Sequence, residues 1–535
     1  MSNSSLAGFA ALEHQLSLMP VQPLTSTCRI GGARRTLEKD GFRVETFPAA
    51  YAPENGIRGH FEFGLKYDDL NLEWLSRLFA SMAPQWIEDW VDAQPTSVYA
   101  RRTAFLYEWF TGQRLAAPDT AASSYENAID PLRYLTSTEP IKVKRWKIID
   151  NLPGTRHFCP LVRLTPEVRQ STQFDLPGEL AALDSKFGAD LLMRSAAWLT
   201  FNESRATFTI EHESDRADDI QRFASAMALH CGRIETPLSD QSLAVLQTEV
   251  LGSRALRTGL RKSPVFVGSA AHHDATVVRY IAPNHESVAS LLEGLRAFDE
   301  RTRPHTPATM LSIIRAGALA FGFVYLHPLS DGNGRVHRLL VNDTLIRDGV
   351  VPPGVILPIS STIIRSSTNR GDYERTLDLI SSRQIRKYAT HYRFGQERMC
   401  DDGVVTDFEF DAYGDAAHLW RYLDLTAHCA YMGRIIRATV VENMTDEATF
   451  LARHDEARRR LKRAFEMPDR DADAIIRSLR QNNGAVSHTL SITYQQIFSV
   501  PDIAAEVLEA VASGLEGREM ENVAPKPLNN PLISP

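Results

Sequence analysis

The stretch FVYLHPLSDGNGRVHRLLV, residues 323–341, places a histidine, an acid, an asparagine between two glycines and two arginines within the twelve positions from His327 to Arg338. The preceding residues 307–326, PATMLSIIRAGALAFGFVYL, are apolar enough for a buried helix, which Pro328 prevents from continuing. After the glycines, apolar residues recur at helical spacing. The stretch therefore predicts two helices joined by a tight DGNG loop.

The loop opens onto the N-terminus of the second helix, where unpaired N–H groups and the helix dipole favour anions. Gly332 and Gly334 allow the backbone to approach a phosphate without a Cβ in the way. Arg335 and Arg338 are three positions apart, so they share a helix face and can bind phosphate oxygens. The loop is therefore a candidate phosphate site.

Two further side chains add chemistry to this loop. Asp331 is an acid in a place that favours anions, which makes sense for a ligand of Mg²⁺ bridging phosphates. His327 has an ordinary pKa near 6.5 and is suited to accepting a hydroxyl proton. The plainer alternative is a glycine turn with solvated arginines, but eight specified positions make a chance match rare, on the order of one in 10⁷.

The string resembles the signature of the Fic family, with Leu329 in place of the usual phenylalanine. The resemblance implies an all-α fold and transfer of AMP from ATP to a protein hydroxyl, helped mainly by positioning and charge neutralisation. It also implies a role for each motif residue: general base for His327, Mg²⁺ ligand for Asp331, α-phosphate binding for Asn333 with the backbone of Gly332 and Gly334, and outer-phosphate binding for Arg335 and Arg338.

Upstream, LRKSPVFVG at 260–268 resembles the Fic flap, a β-hairpin that pairs with an extended target segment. The resemblance implies target contacts by Ser263, Pro264 and Val265. Pro264 lacks a backbone donor, so the pairing pattern is expected to differ from that of the family. An ordinary hairpin is the alternative.

Downstream, SSTNRGDYERTL at 366–377 resembles the segment that carries the nucleotide-base contacts, where Arg370, Asp372 and Tyr373 match. The resemblance implies nucleotide binding by Tyr373. Glu374 stands where a second tyrosine is common, which leaves the base selectivity open. The alternative is the solvated start of a helix.

Many Fic proteins carry an inhibitory glutamate that pairs with the second arginine of the motif, here Arg338. NESRATFTIEHE at 202–213 resembles the inhibitory segment. Its matching positions are Glu203, Thr207, Ile210 and Glu211, with His212 in place of glycine or asparagine. Glu211 would bind Arg338, which otherwise binds the γ-phosphate, and its negative charge would repel ATP. The alternative is a solvated acid on a β-hairpin, since the stretch is rich in β-branched residues.

The whole chain of 535 residues is predicted to be mainly α, with a Fic domain at 196–395 between helical regions at 1–195 and 396–535. In the first region, SVYARRTAFLYEWFTG at 97–112 spaces apolar residues helically and ends on a glycine. The first thirty or so residues look loosely held.

Composition narrows the class of protein further. The net charge of −7 argues against a nucleic-acid or membrane-surface binder, and five scattered cysteines without a C-x-x-C pair fit a reducing compartment. We find no signal peptide and no membrane span, so we expect a cytoplasmic protein. AHHDA at 271–275 is more typical of a surface loop than of a metal site, and the C-terminal part fits packed helices better than a DNA-binding unit.

We therefore expect a protein adenylyltransferase that uses ATP and Mg²⁺, modifies a serine, threonine or tyrosine of a protein target, and is inhibited by Glu211. Two alternatives remain: a hydrolase that removes AMP at the same site, and a regulatory or interaction protein in which the Fic core senses a nucleotide. A homodimer that buries the inhibitory segment is also expected.

Overall fold

The computed structural model describes residues 4–39, 41–188, 201, 203, 206, 217–252, 257–270 and 276–516. The chain forms two compact units, Met1–Glu179 with Leu199–Val440, and Leu180–Trp198 with Val441–Pro535. The three domains predicted from the sequence stay a prediction, because compactness does not test where a functional domain begins.

The mainly α class is confirmed, and the described chain is built mostly from helices. Up to residue 251 the α-helices are Gly8–Leu16, Ile57–Tyr67, Leu72–Ser81, Gln85–Ala93, Val98–Thr111, Pro166–Thr172, Leu176–Phe187, Ala217–His230 and Asp240–Leu251. The later α-helices are Val288–Thr302, Thr309–Leu326, Asn333–Arg347, Ile359–Arg365, Ser367–Lys387, Tyr413–Arg421, Thr426–Ala438, Thr445–Ala464, Asp469–Gln481, His488–Thr493, Gln495–Phe498 and Pro501–Glu516.

The helix predicted at 97–112 shows how local residues set these bounds. Val98–Thr111 begins after Ser97, whose side chain accepts a hydrogen bond from the N–H of Ala100. It ends at Gly112, which has a φ of 70° and donates to the carbonyl of Glu108. The predicted glycine stop is confirmed.

The N-terminal part also contains two small sheets that the helical pattern did not predict. The strands of the four-stranded sheet are Ser5–Ala7, Ser26–Ile30, Phe42–Phe47 and Arg35–Lys39, in spatial order, and those of the three-stranded sheet are Glu126–Asn127, Ile148–Asp150 and Ile141–Val143. The prediction that the first thirty or so residues are loosely held is wrong for the described residues 4–30, which form two strands and a helix. Phe9 is buried, and its N–H donates to Asp68 Oδ2 at 2.8 Å.

The helix Thr309–Leu326, here called the core helix, is buried on nearly every side. Arg315 lies in its middle without exposure and forms ion pairs with Asp299 and Asp348, which tie the core helix to its neighbours. Among the described residues, this is the one helix long and apolar enough to cross a membrane, and 78% of it is buried. Burial inside the protein explains that apolar composition.

Two β-hairpins contact each other through aromatic side chains. The flap consists of the strands Phe266–Ala270 and Thr276–Ile281, and the second hairpin consists of Tyr392–Met399 and Val405–Phe410. The ring of Phe266 lies 4.8 Å from that of Phe408. The flap thus lies partly beyond the predicted stretch 260–268, which covers only the approach and the start of its first strand.

The second compact unit has its own core, formed mainly by the helices Thr445–Ala464, Asp469–Gln481 and Pro501–Glu516. Its buried apolar residues include Leu461, Ile475 and Val507.

Candidate active site

His327 lies where the core helix ends. Its N–H donates to the carbonyl of Phe323 at 2.9 Å, and its backbone is left-handed with a φ of 47°. Pro328 forces this end because the residue before a proline disfavours the helical conformation. Such a backbone costs a side-chain-bearing residue about 1 kcal/mol, so the surrounding contacts must hold His327 in place.

The half-buried imidazole of His327 is held in its neutral form. Desolvation, as the largest cause, and the nearby positive charge of Arg261 together lower its pKa to about 4, against the opposite effect of a hydrogen bond to the backbone of Val324. A neutral imidazole has a free lone pair at physiological pH, which is the form that a general base requires.

The loop after His327 is closed by Asn333. Its side-chain oxygen accepts the N–H of Leu329 at 2.9 Å, and its side-chain nitrogen donates to the carbonyl of the same residue at 2.8 Å. Asn333 therefore shapes the loop, and its contact with an α-phosphate stays a prediction.

The helix Asn333–Arg347, here called the motif helix, begins directly after Gly332. Gly332 has a φ of 81°, which glycine adopts without strain. Gly334 lies in the first turn, so the backbone N–H groups at this end border the loop. The exposed Asp331 accepts the N–H of Gly332 at 2.6 Å through Oδ1. The predicted order of helix, loop and helix is confirmed.

Arg335 and Arg338 are both buried on the motif helix, each with 6% exposure. The arginines predicted to be solvated in the plainer interpretation are therefore enclosed. A buried guanidinium needs anionic or polar partners. Glu203 is one charged group close enough for Arg338 to act on, because the charge of Arg338 lowers the pKa of Glu203.

A segment of chain just before the flap lines the other side of the loop. The N–H of Arg261 donates to the carbonyl of Pro328 at 3.0 Å, and the N–H of Ser330 donates to that of Gly259 at 3.1 Å. The fully buried side-chain amide of Gln247 connects these two segments. Its oxygen accepts the N–H of Gly259, and its nitrogen donates to the carbonyl of Asp331 at 2.9 Å. The loop and the base of the flap are thus one hydrogen-bonded structure.

The three residues predicted to contact a target lie at the base of the flap, before its first strand. Ser263 is buried, with 2% exposure, and its carbonyl accepts a hydrogen bond from Arg261. Pro264 and Val265 are half-buried, and the carbonyl of Val265 accepts the N–H of Ala282 at 3.0 Å. Their contact with a target stays a prediction.

Tyr373 is buried in an aromatic group rather than displayed at an open surface. Its ring lies 6.4 Å from that of Phe321 in the core helix and 6.1 Å from that of Tyr431. Its predicted contact with a nucleotide base stays a prediction. Arg370 and Glu374 form an ion pair with each other at 3.2 Å.

Glu211, with Thr207, Ile210 and His212, lies outside the described residues, and so does the AHHDA segment at 271–275. Phe201, Glu203 and Ala206 are described and are helical, which differs from the β-hairpin alternative at these positions. Glu203 has no exposure; its carboxylate accepts Ser360 Oγ at 2.5 Å and the N–H of Ser361 at 3.1 Å.

Asp331 is also the residue predicted to bind a metal ion. Among the described residues, no group of three or more histidines, cysteines or acids could enclose a metal ion. Mg²⁺ does not need such a cage, because it often binds through one or two carboxylates, water and the phosphates of a substrate. A single exposed carboxylate beside the N-terminus of the motif helix fits that mode of binding.

A histidine at the end of a buried helix, a glycine loop at the start of the next helix and a docked flap define a Fic-type domain. Residues 246–345 match the model of the Fic/DOC family. Residues 246–345 of the chain are therefore a Fic domain. The sequence did not predict that three residues outside the motif belong to this site, namely Arg261, Gln247 and Ser360. Nothing in the neighbouring sequence distinguishes them from ordinary polar residues.

Two relatives named protein adenylyltransferase fic-1 are similar to a part of the chain. The protein of Caenorhabditis briggsae is 31% identical over 113 residues, which are 21% of this chain and 19% of the relative. The protein of Caenorhabditis elegans is 28% identical over 128 residues, 24% of this chain and 23% of the relative. The chain therefore matches less than a quarter of the length of either relative.

A solved structure of a Fic family protein from Desulfovibrio desulfuricans G20 is also similar. It shares 16% sequence identity, with coverage of 55% of this chain and 80% of that chain and a TM-score of 0.34.

Proposed function

We propose that this protein is a protein adenylyltransferase that transfers AMP from ATP to the hydroxyl of a serine, threonine or tyrosine in a target protein. The observation that carries the proposal is that one short loop, closed by its own hydrogen bonds, connects a neutral His327 to the N-terminus of the motif helix. The two relatives named adenylyltransferases support the same reaction.

In the proposed reaction, His327 accepts the proton of the target hydroxyl while that oxygen attacks the α-phosphorus of ATP. The new bond joins the target oxygen to the α-phosphorus, and the bond from the α-phosphorus to the bridging oxygen breaks. Pyrophosphate leaves with the electron pair of that bond. The imidazole is left protonated and must lose its proton before the next turnover.

The phosphates would be held by the start of the motif helix. The N–H groups after Gly332 and the positive end of the helix dipole favour the α-phosphate, and Arg335 and Arg338 provide positive charge for the outer phosphates. Mg²⁺ held by Asp331 would neutralise phosphate charge when it is bound. Catalysis would then come from positioning and electrostatic stabilisation.

We also propose that Glu211 restrains the activity by binding Arg338. The support comes from Glu203, eight positions earlier in the chain, which is fixed on the helix Ile359–Arg365 within reach of the charge of Arg338. A carboxylate on Arg338 would compete with the γ-phosphate for the same guanidinium.

The proposal is tested with ATP labelled at the α-phosphate, Mg²⁺, and the wild-type, His327→Ala and Glu211→Gly proteins, with self-modification as the readout. If the protein is a transferase, the Glu211→Gly protein becomes labelled above the wild-type level. The double variant that also carries His327→Ala is not labelled. An absence of label in every variant would contradict the proposal.

The same proteins distinguish the two rival functions. An AMP-removing hydrolase would release AMP from a modified protein, and release would require His327. A nucleotide sensor would bind ATP in calorimetry without turnover. Equal labelling of the wild-type and Glu211→Gly proteins would reject the proposed inhibition while leaving the transferase intact.

A further inference from the structure

Arg261 is a buried cation that the motif does not include. Only 2% of it is exposed, and its guanidinium donates four hydrogen bonds, all to backbone carbonyls. The acceptors and distances are the carbonyls of His327 at 2.7 Å, Leu326 at 3.4 Å, Ser263 at 3.2 Å and Pro283 at 2.7 Å.

These four carbonyls come from three separate parts of the chain. Leu326 and His327 end the core helix, Ser263 precedes the first strand of the flap, and Pro283 follows its second strand. The backbone N–H of Arg261 also donates to the carbonyl of Pro328 at 3.0 Å. One side chain therefore joins both ends of the flap to the residue proposed as the base.

Burying this guanidinium is unfavourable, and desolvation lowers the pKa of Arg261 to about 10. The end of the core helix offsets this, because its last carbonyls carry the negative end of the helix dipole. The fixed fork of a guanidinium can reach several acceptors at once, which a lysine ammonium on a flexible chain does less well. Arg261 thus has both an electrostatic and a geometric reason to be an arginine.

Resting on the proposed transfer reaction, we propose that Arg261 is a positioning residue that fixes the distance and orientation between His327 and the flap. A target segment paired with the flap would bring its hydroxyl to the imidazole only if these two elements keep a constant relation. Because His327 has a strained left-handed backbone, the bond from Arg261 to its carbonyl also holds that conformation.

The test compares Arg261→Met, which removes the charge and all four side-chain bonds, with Arg261→Lys, which keeps the charge but not the fork. Arg101→Met is the matched control. Arg101 is equally buried, and its Nη1 donates to the carbonyls of Ser124, Trp146 and Lys147 in the N-terminal part. It shares the chemistry of Arg261 without touching the site.

Two readouts do not depend on enzymatic activity. Hydrogen exchange of the flap strands is expected to become about tenfold faster in both Arg261 variants and to stay unchanged in Arg101→Met. Titration of His327, followed by NMR of histidine-labelled protein and assigned with His327→Ala, is expected to move upward in Arg261→Met only. The upward direction follows because a nearby positive charge disfavours the protonated imidazole.

The activity readout is label transfer in the Glu211→Gly background. In Arg261→Lys, we expect kcat to fall about tenfold to 100-fold, with the KM for ATP changed less than about threefold, because a misplaced base affects the chemical step more than nucleotide binding. Arg101→Met in the same background is expected to keep both constants.

The proposal is overturned if Arg261→Lys folds and leaves flap exchange and the kinetic constants at the values of the Arg101→Met control. If Arg261→Met does not fold, Arg261→Lys and its exchange data decide the matter. Failure of the transferase proposal looks different: no protein is labelled at all, including Glu211→Gly, while the exchange and titration experiments still report whether Arg261 holds His327 to the flap.

Discussion

Raising the pH is expected to loosen the attachment of Glu203 to the helix Ile359–Arg365. The carboxyl is fully buried and accepts hydrogen bonds from Ser360 Oγ and from the N–H of Ser361. Desolvation is the main influence on its pKa and raises it to about 7, against the bonds from these serines and the charge of Arg338. Ionisation therefore opposes the docked position of Glu203.

The size of the effect follows from comparing the docked and released states. A released glutamate has a pKa near 4.5, and the docked one has a pKa of about 7. Below about 4.5 the carboxyl is protonated in both states, and docking is strongest. Between the two values only the released state is ionised, so each pH unit weakens docking about tenfold. Above about 7 the loss levels off near 3 kcal/mol.

Hydrogen exchange of the residues around Glu203 measures this directly. Wild-type protein and Glu203→Gln are compared at about pH 5 and about pH 8, so that the intrinsic pH dependence of exchange cancels in the ratio. We expect the wild type to lose on the order of 50- to 100-fold more protection than the variant between these pH values. Glutamine keeps the shape and an acceptor oxygen but cannot ionise.

Equal pH responses of the wild type and Glu203→Gln would refute this reasoning. The link to function is then examined in the same two proteins. If the docked segment carries the inhibitory glutamate into place, label transfer rises between about pH 5 and 7 more steeply in the wild type than in Glu203→Gln.

Three further predictions concern the motif itself. Because the pKa of His327 is lowered to about 4, we expect protonation of His327 to slow label transfer only as the pH falls towards 4. This is measured in the Glu203→Gln protein, and a loss of rate centred near pH 6.5 would contradict the prediction. Asn333→Ala leaves both backbone groups of Leu329 without their partner, and we expect unfolding to become easier by about 2 kcal/mol, measured by thermal denaturation; no change would show that water replaces the amide. In Gly332→Ala the new Cβ would lie 3.5 Å from Leu251, an ordinary contact, so the cost is the left-handed backbone, about 1 kcal/mol in the same measurement; a loss above about 3 kcal/mol would indicate a clash instead.

Much of the site was predictable because the motif is local. The core helix, the loop and the motif helix follow one another without a break, and their bounds depend on Pro328 and Gly332, whose backbone preferences act on adjacent residues. Val98–Thr111 was predictable for the same reason, since its apolar spacing and its terminal glycine are both local signals.

The N-terminal sheets were not predictable in this way. Ser26–Ile30 pairs in parallel with Phe42–Phe47, and Ser5–Ala7 is only three residues long. Short strands carry too few alternating positions for a clear pattern, and their partners are chosen by packing. Phe9 and its bond to Asp68 show the same point, because the two residues are 59 positions apart.

By itself, the sequence determined the kind of loop and the helices on either side of it, and it marked the residues predicted to carry the chemistry, because these features depend on local spacing. Only the tertiary structure decided what holds that loop in place. Arg261 reaches His327 across 66 positions, and Glu203 reaches Ser360 across 157. Burial then set the charge of each group, since desolvation keeps His327 neutral and raises the pKa of Glu203. Residue type alone does not contain that information, because it depends on which distant segments exclude water.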